Sequence, residues 1–406
     1  MKTWKLIVLV AALLVIVILG AVGGRWYAGN RKPNFTGKTD LYVRPQMTVD
    51  DVLAQIPDSI VVNRHNLSRV VRKELADSDL KPGHYVVEKN KPSVYVVRML
   101  KNGWQSPVNL VLSGTMRQKG RIARKIANQV MLDSAEVADA LNDSLLLAGY
   151  GFTPSDVFSL IIPDTYQVYW TASMKDILDK QKAAYDAFWT DENLAKAEAQ
   201  GLTPKQVSIV ASIVKSESNH APEYSSIAGV YLNRLHQGMR LQADPTVAFC
   251  YGYTLNRILL KHLEYDSPYN TYLYEGLPPG PICVPDKPSL EAVLNPDRHG
   301  YLYFCANAAM DGTHKFAATY SEHLRNAREF QRALDARRAS GSPQILLHFR
   351  GFLQVLFVRC EYMVQHTDRN NFGLAIVCDG TNTANKVVID FQHIIDNQSA
   401  QSGSDH

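Results

Sequence analysis

The chain opens on an unbroken apolar run. Leu6 to Gly24 carries no charge over 19 residues, close to the ~20 that a helix needs to span a bilayer. Lys2 and Lys5 precede the run; Arg25, Arg31 and Lys32 follow it. Trp4, Trp26 and Tyr27 stand at its two edges, where aromatic anchors belong. The small residues Ala21, Gly23 and Gly24 also fit a cleavable signal peptide, but the apolar core of a signal is shorter, roughly 7–15 residues. The pattern therefore predicts an uncleaved single-pass anchor. Its flanking charges are nearly balanced, and the short tail before it makes export of the C-terminal bulk the simpler topology.

Beyond residue 38 the apolar pattern breaks into short pieces of mixed period, which predicts an α+β fold. Short strands are expected at Asp40–Arg44 and Val108–Leu112, a turn into another strand over Lys81–Glu88, and helices at Val49–Ile56, Asn66–Leu75 and Ser93–Leu100. Arg117–Ala148 and Ser173–Gln200 read as helical stretches. Ile227, Val230 and Tyr231 mark a helix ending near Leu235. Arg240 to Pro285 is rich in Gly, Pro, Tyr and Asn with little period, and long irregular segments inside a domain tend to be functional. Tyr301–Cys305 and His314–Ala317 look like strands joined through Asp311-Gly312, and Glu322–Arg338 like a closing helix. Ser340-Gly-Ser-Pro punctuates the chain before a tail with apolar runs at Ile345–Leu347 and Leu353–Val358. The expected organisation is a tail over 1–4, a membrane helix over 5–24 and a linker over 25–38. A small α+β module follows over 39–112, then a main region over 113–338 with its core at 204–335, and an extension over 339–406.

One helix carries candidate chemistry. Thr203 is a natural N-cap, Pro204 suits the first helical position, and Gln206 completes a capping box. Val207, Val210, Ala211 and Val214 then form one face of the helix, and the next place on that face is Glu217. A carboxyl carried in on a buried face loses water, which favours its protonated form, the form a general acid requires. The alternative is that the helix frays there and Glu217 turns to solvent.

Composition narrows the class. Of 406 residues, 46% are hydrophobic and 20% charged, ordinary for a globular chain. The net charge of +4 and the lack of an interleaved Arg and aromatic stripe argue against nucleic acid. The five cysteines, Cys250, Cys283, Cys305, Cys360 and Cys378, form no metal-ligand spacing. No metal and no cofactor is expected, and buried free thiols are preferred over a disulfide or a Cys nucleophile paired with His299 or His314.

Seven blocks in order carry a resemblance. Ala211-Ser-Ile-Val-Lys-Ser-Glu217 resembles the Ala-Ser-Ile-Val-Glu-Lys-Glu signature of the YceG-like, MltG-type endolytic murein transglycosylases. Leu232-Asn-Arg-Leu, Met239–Val247, Ser267–Tyr272, Gly276–Ile282, Tyr301–Phe304 and Gly312–Phe316 follow. Ile162–Tyr166 and Pro82–Tyr85 also look like family positions. The resemblance covers roughly 5–335 and is densest over 204–316. Lys215 replaces the first acid of the signature and is expected to point outward.

The resemblance implies cleavage of the β-1,4 bond between N-acetylmuramic acid and N-acetylglucosamine in glycan strands, leaving 1,6-anhydro ends and so terminating or trimming nascent strands. Glu217 would serve as the single acid and base. Gln242, Tyr269 and Asn270 are candidates to bond N-acetyl groups in a glycan-binding groove, Tyr272 to offer a flat face, and His314 to bond substrate or tie its hairpin. Asp244 reads as a turn cap before Pro245. The module at 39–112 resembles LysM. Expected partners are peptidoglycan strands, the membrane and cell-wall synthesis proteins, with the anchor in the cytoplasmic (inner) membrane and the catalytic region in the periplasm. A lysozyme-type hydrolase, separated by its reducing-end products, and a non-enzymatic glycan-binding scaffold stand as alternatives.

Overall fold

A computed structural model describes residues 2–339 of the chain. The expected extension and its apolar runs at 345–347 and 353–358 lie outside the described residues. The fold is mixed helix and sheet, and its strands form three separate antiparallel pairs among the described residues.

Helix α1 runs from Lys2 to Asn30. It is the one described helix long and apolar enough to cross a membrane, and none of its apolar window is buried inside the protein. This fits a single-pass anchor. The helix does not stop at Gly24, where the apolar run ends. Asn66 Nδ2 donates to the Ala28 carbonyl at 2.9 Å and Arg69 Nη2 to the Arg25 carbonyl at 3.3 Å. Gly29 lies so close to the next unit that a Cβ there would stand 2.7 Å from Val70 Cγ2. The first part of the expected 25–38 linker is thus helical, because the unit that follows supplies partners for its carbonyls.

That unit is built from β1 (Thr39–Val43), α2 (Val49–Ala54), α3 (Arg64–Glu74), β2 (Gly83–Val87) and α4 (Ser93–Asn102). β1 and β2 pair antiparallel with Leu41 opposite Tyr85. Thr48 and Asp51 form the capping box that starts α2. Leu41, Val52, Leu67, Val71, Tyr85, Val96 and Leu100 fill its core. The strand expected to close this module, β3 (Val108–Leu112), belongs to the next unit instead. It pairs with β4 (Asp164–Val168), placing Leu110 opposite Tyr166. Its alternate residues Leu110 and Leu112 are buried with the helices that follow. A boundary at 112 is therefore too late, since the period-2 apolar face of β3 is satisfied only by the second core.

Between those strands lie α5 (Lys119–Ala127), α6 (Ser134–Ala140) and α7 (Ser144–Ala148), the last two capped by Asp133 and Asp143. The expected long helix over 173–200 is two. α8 (Met174–Phe188) stops where Trp189 turns into the core, and Thr190 caps α9 (Asp191–Ala199). The third core is built on α10 (Pro204–Glu217), α11 (Tyr224–His236) and α14 (Lys287–Leu294), with α12 (Asp244–Cys250) packed against it through Phe249; α13 (Leu260–Leu263) lies in the irregular stretch between α12 and α14. The hairpin β5 (Tyr303–Ala306) and β6 (His314–Ala317) follows, with Phe304 opposite Phe316. Its connection is longer than a two-residue turn: Gly312, at φ 87°, is only its last bend. α15 (Tyr320–Ala339) closes the described chain.

Candidate active site

α10 starts as its sequence dictates. The Thr203 hydroxyl accepts from the Gln206 amide at 3.3 Å, and Gln206 Oε1 accepts from the Thr203 amide at 2.9 Å. Val207, Val210, Ala211 and Val214 are wholly buried. The helix ends on Glu217 without fraying: Ser218 is already extended, and Glu217 is only 8% exposed. A hydroxyl from α11 meets it there. Tyr231 donates to Glu217 Oε1 in a short hydrogen bond. The other carboxyl oxygen has no hydrogen-bond partner among the described residues. Tyr231 is itself fully buried, and a buried phenol needs such an acceptor.

Aromatic contacts carry this pair into the hairpin. Phe304 meets the Tyr231 ring edge-on with centroids 6.0 Å apart, and His314 meets Phe304 the same way at 5.4 Å. Glu223 then holds His314 twice, at its amide and at Nδ1, each at 2.8 Å. His314 thus ties the hairpin to the start of α11.

The irregular stretch after α11 is organised by Arg234, whose side chain is 1% exposed. Its Nε donates to the Leu302 carbonyl at 2.6 Å; Nη1 donates to the carbonyls of Arg240 and Leu241 and to Gln242 Oε1. Gln242 is 7% exposed, with φ at 49° and its amide on the Thr271 carbonyl. Asn270 is fully buried. Its Nδ2 donates to the carbonyls of Leu263 and Tyr265, both at 2.8 Å, and its Oδ1 accepts from the Tyr272 amide. Tyr272 is equally buried, and its hydroxyl donates to Asp244. The expected sugar contacts by Asn270 and Tyr272 do not fit this geometry. Their polar atoms are occupied by loop backbone and by Asp244, because a loop without regular structure must satisfy its own peptide groups from side chains. Asp244 opens α12 and takes the Tyr272 hydroxyl, so it is a link between two segments rather than a turn cap alone.

Tyr269 is set apart from these. Its ring lies on Phe249 at 4.6 Å, its hydroxyl is 3.4 Å from the Ser155 carbonyl, and burial raises its pKa. Nearby, Gly280 is irreplaceable: a Cβ would sit 2.0 Å from the Ser155 carbonyl oxygen. Cys283 is a buried free thiol, and Cys305 is buried as well. Burial pushes the Cys283 thiol up, against nucleophilic use.

Lys215 does not point outward. It makes a short ion pair with Asp286, the N-cap of α14, because α14 packs directly on α10. Burial opposes ionisation of Asp286, but Lys215 and the Ser289 hydroxyl and amide together hold its carboxyl below the usual range. Stability from such a depressed carboxyl is present above its unfolded value and lost as pH falls through the folded one. Lys215→Met should therefore cost about 1–2 kcal/mol at pH 7, and the gap to the unsubstituted protein should close in strong acid. Urea unfolding at pH 7 and at about pH 2.5 checks this; a gap that stays constant with pH refutes it.

The sequence profile of the YceG-like family matches residues 41–329. The chain belongs to the YceG-like family. An endolytic murein transglycosylase of Bacillus subtilis (strain 168) is 30% identical over 264 residues, covering 61% of this chain and 72% of that one. An endolytic murein transglycosylase of Streptococcus pneumoniae (strain D39) is 26% identical over 286 residues, covering 62% of this chain. The match spans about half, 51%, of that pneumococcal protein. A crystal structure of a YceG-like protein from Listeria monocytogenes aligns with a TM-score of 0.49 and 28% identity, over 71% of this chain and 98% of that one.

In this YceG-like chain the family signature thus ends on a buried carboxyl, at the junction of α10, α11 and the hairpin. Sequence reasoning missed Tyr231 and Arg234 as parts of that junction. The available signal was a tyrosine and an arginine on an otherwise apolar helix face, each needing a partner once buried.

Proposed function

We propose that this chain is a peptidoglycan lytic transglycosylase that cuts the MurNAc–GlcNAc β-1,4 bond with Glu217 as its single acid and base. The observation that carries the reading is the divided state of Glu217, one oxygen pinned by Tyr231 and the other unclaimed. The unclaimed oxygen first gives its proton to the leaving glycosidic oxygen. The same oxygen then accepts the proton of the muramyl C6 hydroxyl as that hydroxyl closes on the anomeric carbon. Proton, leaving group and new C–O bond balance without water. An ordinary glycosidase needs a second carboxyl across the bond. The next two acids in sequence after Glu217, Glu223 and Asp244, are bonded to His314 and Tyr272. The family membership and the names of the Bacillus and pneumococcal relatives support the same reaction class. Digestion of purified sacculi should release muropeptides with 1,6-anhydro ends, read by mass spectrometry; reducing ends alone would sink the transglycosylase reading in favour of a hydrolase.

The same reading sets the topology. α1 anchors the chain in the cytoplasmic membrane and residues beyond it lie outside the cytoplasm, where glycan strands are. Protease added to spheroplasts should digest the region after Asn30, and its protection would reverse the orientation.

A further inference from the structure

A cleft of about 400 Å³ opens between the start of α5 and the loops after α12. Its rims are fixed. Gln118 Nε2 donates to the Gly252 carbonyl at 2.5 Å, and Gly280 is pressed on Ser155. Pro281 forms part of its wall. The next residue, Ile282, donates its amide to Ser212 on α10 at 3.0 Å, one and a half turns before Glu217. The cleft and the candidate catalytic carboxyl therefore share one rigid support.

The chemistry of the cleft is lopsided. Arg117 and Lys119 line it, and no carboxylate does. The Arg117 guanidinium stacks over the Tyr253 ring at 4.9 Å. Its Nε is shut off from solvent with no hydrogen-bond partner among the described residues. The Lys119 ammonium rests on a neutral acceptor, Asn142 Oδ1, at 2.7 Å. Burial holds it below the usual lysine range. The nearby carboxylate of Asp156 is taken by Lys205 at 2.6 Å. Two partly desolvated cations without an anion are costly unless a ligand completes them. The other walls are aromatic, from Phe158, Phe249, Tyr253 and Tyr269. The fitting ligand is a carboxylate on a short, partly apolar segment.

From this juxtaposition we infer that the cleft holds a carboxylate of the peptide carried by the muramyl residue of the substrate. The inference rests on the proposed peptidoglycan substrate. Where a peptide is attached, the lactyl carboxyl of the muramyl residue is tied up as an amide, so on such strands the peptide supplies the anion. Arg117 then gives a forked pair of donors to the carboxylate, Lys119 a second charge, and the aromatic walls cover the alanyl and side-chain carbons. The site sets which strands are cut, those still bearing peptides, and takes no part in the bond-breaking step.

The test uses the intact chain in detergent micelles. Calorimetric titration with acetyl-alanyl-glutamate and with its diamide should give binding at least about tenfold tighter for the acid, the scale of a charge-assisted pair. Arg117→Ala should abolish that difference and Arg117→Lys should keep part of it, with thermal melts showing both variants folded. Equal binding of acid and amide, or an undiminished difference in Arg117→Ala, overturns the inference. In a second arm, KM should be about tenfold lower on peptide-bearing strands than on the same strands with their peptide carboxyls amidated, and Arg117→Ala should bring the ratio near one. An acid-selective cleft with no effect on that ratio would overturn the substrate assignment in favour of a free small anion. Failure of the unsubstituted protein to cut either strand would count against the proposed reaction, and the titration would still judge the cleft.

Discussion

Glu217→Gln should lower glycan-strand cleavage by roughly 10²–10⁴-fold, mainly in kcat, while the melting transition stays within a few degrees of the unsubstituted protein. The amide is nearly the shape of the acid and still accepts from the Tyr231 hydroxyl through its oxygen, so the junction of α10 and α11 keeps its contact. What it loses is the exchangeable proton at the second oxygen, and no other described side chain is bonded there to take over. Because one group is assigned both the donation and the recapture of a proton, both halves of the reaction fail together. Turnover on sacculi, followed by release of soluble fragments, gives the number. Activity near that of the unsubstituted protein would remove Glu217 from the mechanism.

Arg234→Ala should destabilise the protein by about 3–5 kcal/mol in denaturant unfolding. The guanidinium is buried and collects the carbonyls of Arg240, Leu241 and Leu302 and the Gln242 side chain. Truncation strips donors from three carbonyls at once and leaves a void beneath the Tyr303 ring, which lies 5.1 Å from the guanidinium carbon. Arg234→Lys should rescue little, since one ammonium cannot reach acceptors spread around a planar fork. Activity should fall too, because the same α11 carries Tyr231 to Glu217. A loss below about 1 kcal/mol would mean that the surrounding loops hold their shape without this side chain.

Glu217 and the residues around it differ in how far the chain alone places them. Glu217 was legible because everything that places it is local: a cap, a proline at the first turn and an apolar stripe, all within one helix. The alternation that makes β3 a strand was legible as well. Its partner β4 was not, since the pairing spans three helices and the polar Asp164 and Gln167 interrupt the strand formers of Asp164-Thr-Tyr-Gln-Val. α14 was hidden in the same way by the Pro-rich segment before it, although Asp286 and Ser289 form its capping box. Asn270 and Tyr272 looked like sugar ligands because amides and phenols in an irregular stretch suit that role. The structure spends both on holding the stretch together. Lys215 looked like a surface residue because helical spacing gives direction on one helix but says nothing of what packs against it; here that is the end of α14.

The continuity of α1 sets how far the first folded unit stands from the apolar run. An α-helix rises about 1.5 Å per residue, so Arg25–Asn30 stands roughly 9 Å beyond the apolar run, and it ends clasped by Asn66, Arg69 and Val70. A flexible tether would let the first folded unit range freely about the apolar run. This mast instead fixes its distance from that run, so any bilayer that the run spans has the unit standing at one height.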